Sequence, residues 1–479
     1  MHVLLSEVSD TTATRDYGRT VSVVVVGAGP VGLMTTLQLA RRGIPVRLVD
    51  QRAEPTTESR AVGVHARTLE LLDSLGLADE AIAEGAVITS VRMQTKRRHL
   101  TVDLAPAPTR YPFVLDIAQP DFEALLTRAC ADYGVLPERG VTVRGVTQTP
   151  DSVAVDFTEG ESLHADYVVG CDGARSSVRR GVGANLTGDF HGMQFVIVDA
   201  DLDTDLPRNA MCATFAPDGA LALVTFPLKE PRMRLVLPAD DGLAADEGAV
   251  QRRLTEVTDG RSTVTRWRWI TPFEVKHGQV SSYRHGRVFL AGDAAHIHSP
   301  IGGHGMNTGL QDAANLGWKL AEEITGTAPA GLLDTYDLER HPVAAAVIRS
   351  TSKQTRAMSW TGPRAIARSG LIKAVTSVPL LRHDFLRQAM ELTIAYPDSP
   401  LSAGAAVSGV RPGDFAVGTS SEIANAWRST TGWFDIVADV SAEAAVVVRD
   451  WAVPTGTRAR VRPDGYIGEL TAAGSAPTR

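Results

Sequence analysis

Cysteine is scarce and unpaired: Cys130, Cys171 and Cys212 are the three in the chain, and no C-x-x-C pair occurs. An odd, scattered trio supports neither a disulfide framework nor a zinc site, so three buried thiols in a reducing compartment are expected. Long apolar runs are also missing. None approaches the roughly 18 residues a membrane helix needs, and residues 1–20, MHVLLSEVSDTTATRDYGRT, lack the basic start and long apolar segment of a secretion signal. The expectation is a cytoplasmic protein with no membrane partner and a loosely ordered extension over 1–20. Basic charge is not concentrated anywhere: 48 Lys and Arg stand against 55 Asp and Glu, a net −7 dispersed along the sequence. That distribution carries no footprint for nucleic acid. Internal repeats and low-complexity tracts are absent as well.

What is present is 479 residues at 44% hydrophobic content, enough for two or three domains with sizeable cores. One stretch organises the rest, VSVVVVGAGPVGLMTTLQLARRGIPVRLVD, from Val21 to Asp50. Val21 to Val26 is almost continuously β-branched, which suits a strand covered on both faces in a parallel sheet. Gly27, Gly29 and Gly32 follow at G-x-G-x-x-G spacing. That spacing gives a tight turn, close approach of backbone to a pyrophosphate, and close packing of helix on strand. Pro30 stands at the opening of the next helix, about Val31 to Arg42, whose unpaired N–H groups and dipole face the anion. A second strand, Pro45 to Val49, delivers Asp50 where an acid accepts from ribose hydroxyls, favouring FAD or NAD over NADP.

Further along, a helix is predicted from His65 to Leu75, closed by Gly76, and another opens at Gln119-Pro120 and ends at Gly134. Residues 141–146, 152–157 and 167–170 read as strands. From 186 to 279 the texture changes to short strands such as Phe195–Ala200, Ala220–Phe226 and Met233–Leu237 between Pro/Gly/Asp loops. Arg287 to Leu290 restores a buried strand, followed by a helix from Thr308 to Ile324. Residues 334–405 are helical in pattern, with Pro342 expected to bend or restart a helix. The tail beyond 406 suggests strands near Val410, Trp433–Ile436, Ala445–Val448 and Ala459–Val461.

Three separated motifs agree: the glycine motif, DYVVGCDGARSSVR from Asp166 to Arg179, and the Gly292-Asp293 pair in RVFLAGDAAH. Over roughly residues 20–400 they resemble the FAD-dependent aromatic hydroxylases, the p-hydroxybenzoate and phenol hydroxylase-like class A flavoprotein monooxygenases, and within them a polyketide-tailoring subgroup. The resemblance implies an α/β fold: a Rossmann-like FAD-binding domain over 21–185 and 280–345, and an inserted sheet-rich substrate domain over 186–279. A helical segment would follow over 346–405, then a small thioredoxin-like C-terminal domain over 406–479. It also implies non-covalent FAD, contacted by Gly27, Gly29, Pro30, Gly32, Asp50, Arg52, Arg60, Gln119, Asp172, Gly173, Asp293, Pro300, Gly303, Gly305, Met306 and Asn307.

Several of these positions have a second reading. Asp293 either accepts from a ribityl hydroxyl or caps the next helix. Asp172-Gly173 either serves FAD and a passing nicotinamide or is a turn. His304 stands where relatives mostly carry glutamine in G-G-Q-G-M-N. It is the one catalytic candidate, able either to hold positive charge against a reduced ring or to replace glutamine as a neutral hydrogen-bonding group. His296 and His298 lack a third ligand, so no metal is expected. Trp267 and Trp269 alternate on a strand and read as core. The implied activity is NADPH- or NADH-driven hydroxylation of an aromatic or polyketide intermediate through a flavin C4a-hydroperoxide. The expected partner is a hydrophobic, polycyclic or polyketide small molecule, and a homodimer is compatible. An FAD-retaining, non-redox [4+2] cyclase that forms a decalin, or a Baeyer–Villiger oxygenase, would keep the same motifs.

Overall fold

The computed structural model of the protein describes residues 21–59, 61–95, 99–189, 192–239, 242–299, 302–418, 420–438, 446–448 and 453–472. Arg60, Pro300 and the 1–20 extension lie outside them, as do the expectations placed on those residues. The helices in chain order are α1 (Pro30–Ala40), α2 (Ala66–Ser74), α3 (Ala78–Glu84), α4 (Gln119–Asp132), α5 (Ser177–Gly181), α6 (Glu247–Thr258), α7 (His304–Thr325), α8 (Asp334–Met358), α9 (Gly362–Ser377), α10 (Pro379–Ala389) and α11 (Ser421–Ser429).

The β-branched run forms the strand Val23–Val26, every residue of it buried, near the middle of a six-stranded sheet. It pairs in parallel with Val46–Asp50 on one side and Tyr167–Gly170 on the other. Val288–Leu290 extends the sheet in parallel beyond Tyr167–Gly170, so the chain returns to this sheet after leaving it for more than a hundred residues. Helix α1 is buried on every side from Gly32 to Leu39, because α4 and α7 both pack on it. Close approach to α7 depends on small residues. A Cβ on Gly309 would lie 2.6 Å from a Val31 methyl, and one on Gly317 2.5 Å from the Gln38 Cβ.

The short strands after 190 belong to a seven-stranded sheet in the order 262–274, 194–204, 232–238, 221–227, 210–215, 90–94, 99–103. Its last two strands come from before residue 186, Ser90–Gln94 pairing in parallel with Ala210–Phe215, so the boundary expected at 186 cuts across a sheet. One face carries Val196, Val198, Leu235 and Leu237 against Val250 and Leu254 of α6. The other presents Phe195, Ala213 and Phe215 toward Met93 and Met358.

Two helices differ from expectation. Helix α7 begins at His304, a turn earlier than predicted, because Gly303 takes a left-handed φ of 69° that starts the helix there. Helix α8 does not restart at Pro342 but continues through it, against one of the two outcomes expected there. Contacts on both sides hold it: the Tyr336 hydroxyl donates to the Leu290 carbonyl at 2.9 Å, and Ala344 is fully buried. The tail forms a five-stranded mixed sheet in the order 403–404, 467–471, 458–461, 434–438, 446–448, with α11 packed against α2.

Candidate functional site

The glycine turn is built by backbone. Gly27, at φ 102°, donates its N–H to the Val49 carbonyl at 2.7 Å, and a Cβ there would sit 2.5 Å from the Cys171 carbonyl oxygen. A Cβ on Gly32 would lie 1.8 Å from the Gly27 carbonyl oxygen. Gly29 is different: among the described residues the only atom within 4 Å of a Cβ there is a Glu123 carboxylate oxygen at 4.0 Å, so they leave the space over this turn clear. Pro30 opens α1, with no capping side chain on Gly29 and no acid in the first turn. An uncapped helix start under an open glycine turn fits a pyrophosphate.

Asp50 closes this turn. Its Oδ2 accepts from the Ala28 N–H at 2.7 Å and its Oδ1 from the Arg52 N–H at 2.8 Å. The carboxylate is thus fixed at the strand end with lone pairs remaining for a ribose, while the Arg52 side chain is exposed. Gln119 lies at the start of α4, its Nε2 donating to Glu123 at 2.8 Å and its Oε1 accepting from the Ala61 N–H at 3.2 Å. Burial raises the pKa of Glu123, with Gln119 opposing.

The Asp-Gly pair forms the turn. Asp172 Oδ2 accepts from the Ser177 N–H at 2.6 Å and its hydroxyl at 2.9 Å, pinning the start of α5, and Gly173 turns at φ 75°. Among the described residues Asp172 Oδ1 is buried without a hydrogen-bond partner, an acceptor still available. Asp293 is exposed in a single 3-10 turn over 292–294. It does not cap the next helix, since Gly303 is the N-cap of α7. Gly292 lets this turn approach α1: a Cβ there would lie 2.8 Å from a Val31 methyl.

At the start of α7, Gly302 and Gly303 have φ of 86° and 69°, and neither a capping side chain nor an acid occupies the first turn. Gly305 packs beside His298, Met306 is buried in the core, and Asn307 acts as a clamp. The Asn307 amide donates to the Gly63 and Gly303 carbonyls at 2.8 and 2.7 Å and accepts from the His65 N–H at 2.9 Å.

His304 has partners the sequence did not indicate. Its Nδ1 lies 2.8 Å from Oε1 of Glu391, whose Oε2 accepts from Gln311 Nε2 at 2.5 Å. His65 approaches the same Oε1 with Nδ1 at 3.6 Å, its ring edge-on to His304 at 4.9 Å. These three side chains place one ligand atom each within 4.8 Å of one another, a grouping absent from the sequence reading, which excluded metal on other histidines. His296 instead bonds Asp312 at 2.7 Å, and Asp312 takes Arg340 Nε at 2.7 Å on its other oxygen. His298 stacks on His296 at 6.1 Å, and burial, helped by His296 and His304, pushes its pKa down to about 3.

The tryptophan pair is corrected. A bulge at Arg268 leaves Trp269 opposite Asp199 and Trp267 opposite Ala200. Trp267 therefore joins the α6 face, whereas Trp269 lies on the opposite face, 5.7 Å from the Arg234 guanidinium. Arg234 is buried and pairs with Asp199 at 2.7 Å.

Residues 20–351 match the family described as FAD binding domain, and the chain belongs to it. Among its relatives, a 6-methylpretetramide 4-monooxygenase of Streptomyces rimosus is 36% identical over 84% of this chain and 75% of its own length. The solved anhydrotetracycline hydroxylase OxyS from Streptomyces rimosus superposes with a TM-score of 0.76 at 32% identity, covering 94% of this chain and 95% of that one. A dialkyldecalin synthase of Streptomyces rugosporus is 32% identical over 74% of this chain and 75% of that one.

Proposed function

We propose that this protein is an FAD-dependent monooxygenase, using NADPH or NADH, that hydroxylates an aromatic or polyketide intermediate. The observation that carries the reading is the joining of two uncapped, acid-free helix starts, α1 and α7, through the Val31 contacts of Gly292 and Gly309. Each helix start offers unpaired N–H groups and positive dipole to an anion. The first serves the pyrophosphate of FAD and the second its isoalloxazine. Asp50 takes the adenosine ribose, and Asp293, exposed beside the turn, the ribityl chain. Bound FAD supplies the redox chemistry and the activation of O2. The protein binds and orients it, keeps water out and positions the acceptor.

The acceptor belongs on the aromatic face of the seven-stranded sheet. A cavity of about 450 Å³ reaches that face, lined by Met193, Phe215, Leu221 and Met358 and, from α6, by Arg253 and Glu256. That volume and mixed lining suit a largely apolar small molecule that also carries polar groups. In this scheme strands 90–94 and 99–103 go with 186–279 in the acceptor sheet, the rest of 21–185 with 280–345 serves as the FAD-binding unit, and 346–405 and 406–479 as the helical and thioredoxin-like C-terminal units.

The likeness to a dialkyldecalin synthase favours a second reading, a non-redox cyclase that retains FAD. Mass spectrometry under 18O2 separates the two. The monooxygenase oxidises NADPH or NADH faster when the acceptor is present and yields a product one labelled oxygen heavier. An isomer of unchanged mass formed without O2 or nicotinamide replaces the main reading with the second.

A further inference from the structure

We propose that Glu391, His65 and His304 form a buried carboxylate–imidazole relay that holds one proton against the glycine turn opening α7, and that the resulting imidazolium offsets negative charge gathering on the bound isoalloxazine. This rests on the reading that the start of α7 faces the flavin.

The geometry has an inner and an outer side. Both inner nitrogens, Nδ1 of His304 and of His65, approach the same Glu391 oxygen, at 2.8 and 3.6 Å. Both outer nitrogens reach the turn: Nε2 of His304 lies 2.8 Å from where a Cβ on Gly302 would be, and Nε2 of His65 3.4 Å from that of Gly303. A proton shared with Glu391 therefore presents its charge to the 302–303 turn, in the same direction as the α7 dipole.

Charge balance supplies the proton. Glu391 is 3% exposed. Burial alone would raise its pKa, but the hydrogen bond from His304, with His65 close by, holds it well below the usual carboxylate range. An ionised carboxylate at that depth requires a counter-charge. The neighbouring cations are otherwise engaged: Arg67 pairs with Glu70 at 2.7 Å and Arg340 with Asp312 at 2.7 Å. From the 296–299 segment, His298 is driven neutral and His296 bonds Asp312. Gln311 and Asn307 on α7 are uncharged. The balancing proton thus resides on the two imidazoles.

Backbone strain gives independent support. Glu391 sits at φ 60°, a conformation that favours glycine, so the carboxylate is held there against a local cost. A metal ion fits the group poorly. Two ligands about 2.1 Å from one ion in tetrahedral geometry stand about 3.4 Å apart, whereas His304 and Glu391 are in hydrogen-bond contact at 2.8 Å.

The test uses FAD-loaded protein and sulfite, which adds to flavin N5 and leaves negative charge on the ring, so its dissociation constant reads nearby positive charge without turnover. Glu391→Gln, and His65→Gln and His304→Gln together, should each weaken sulfite binding about twofold, the difference at an effective dielectric of about 20 between a positive charge roughly 10 Å from the ring and its negative partner about 3 Å farther away. Combining Glu391→Gln with His304→Gln should add little to Glu391→Gln alone. Sulfite affinity unchanged from the parent's in these FAD-filled variants overturns the proposal. Should the variants lose FAD, 15N-histidine NMR of the unaltered protein decides: one of His65 and His304 carries protons on both nitrogens at pH 7, and two neutral rings overturn the relay. FAD released on denaturing the parent protein is measured separately, and its absence sinks the flavin reading while the NMR result still judges the relay.

Discussion

Gly29 and Gly32 lie in one turn, yet a methyl group meets different surroundings at each. At Gly29, in extended backbone, it enters open space and blocks only what approaches the turn from outside. At Gly32 it would lie 1.8 Å from the Gly27 carbonyl oxygen, a backbone collision no rotamer relieves. Gly29→Ala should therefore keep the melting temperature within a few degrees and lower FAD content per chain, while Gly32→Ala should lose both. Differential scanning fluorimetry with flavin absorbance checks the pair, and full FAD occupancy in Gly29→Ala would remove the pyrophosphate from this turn. Asp50 makes a second residue-level case. Its two oxygens take two backbone N–H groups, and Asn can offer only one acceptor oxygen while turning an NH2 toward the other amide. FAD occupancy should fall in Asp50→Asn, and an unchanged flavin-to-protein ratio argues against the ribose role.

At the scale of elements, α8 is an exception to the rule that proline ends a helix. Pro342 is exposed, and removing its ring empties no core space. Pro342→Ala restores a backbone donor inside a helix that already continues through the position, a gain of up to about 3 kcal/mol less the roughly 0.4–1 kcal/mol by which proline restricts the unfolded chain. The melting temperature should rise with FAD content unchanged, and a fall would show that the helix depends on the proline. The same helix shows what the sequence could convey. Local signals transfer well: the β-branched run at 23–26 is a buried strand, and Gly76 and Gly134, at φ 74° and 75°, follow the ends of α2 and α4. Tertiary signals do not. Nothing local announces that α8 will be held on both sides of its proline, that a bulge at Arg268 turns Trp267 and Trp269 to opposite faces, or that 90–103 joins a sheet built mostly after 190. Glu391 is the clearest case at the site: it lies 87 residues from His304, and only folding brings them together.

Across the whole molecule, the C-terminal sheet is fastened to the rest by buried charge. Glu339 on α8 accepts from Lys319 on α7 at 2.7 Å and from Arg462 of the C-terminal sheet at 2.7 Å, and all three side chains are at most 1% exposed. Removing the carboxylate's charge leaves two buried cations with one ionised partner, Asp464, 2.7 Å from Arg462. Breaking such a group costs about 3–5 kcal/mol, so Glu339→Gln should unfold at markedly lower urea and expose the tail beyond 400 to protease first. Acid should act on the same group. Burial alone would raise the pKa of Glu339, but Arg462 and Lys319 outweigh it and hold it below the usual range; His296 and Arg340 do the same for Asp312. A carboxylate depressed in the folded state contributes stability that is present above its unfolded value, about 4.3 for Glu, and is lost as pH falls through the folded value. Parent and Glu339→Gln proteins should therefore differ most near pH 7, and the gap should narrow as pH falls below about 4, where the unfolded parent takes up a proton that the folded one does not. Urea midpoints measured from pH 7 to 3 give the comparison, and a gap that stays constant throughout would mean that Glu339 is not ionised in the folded protein.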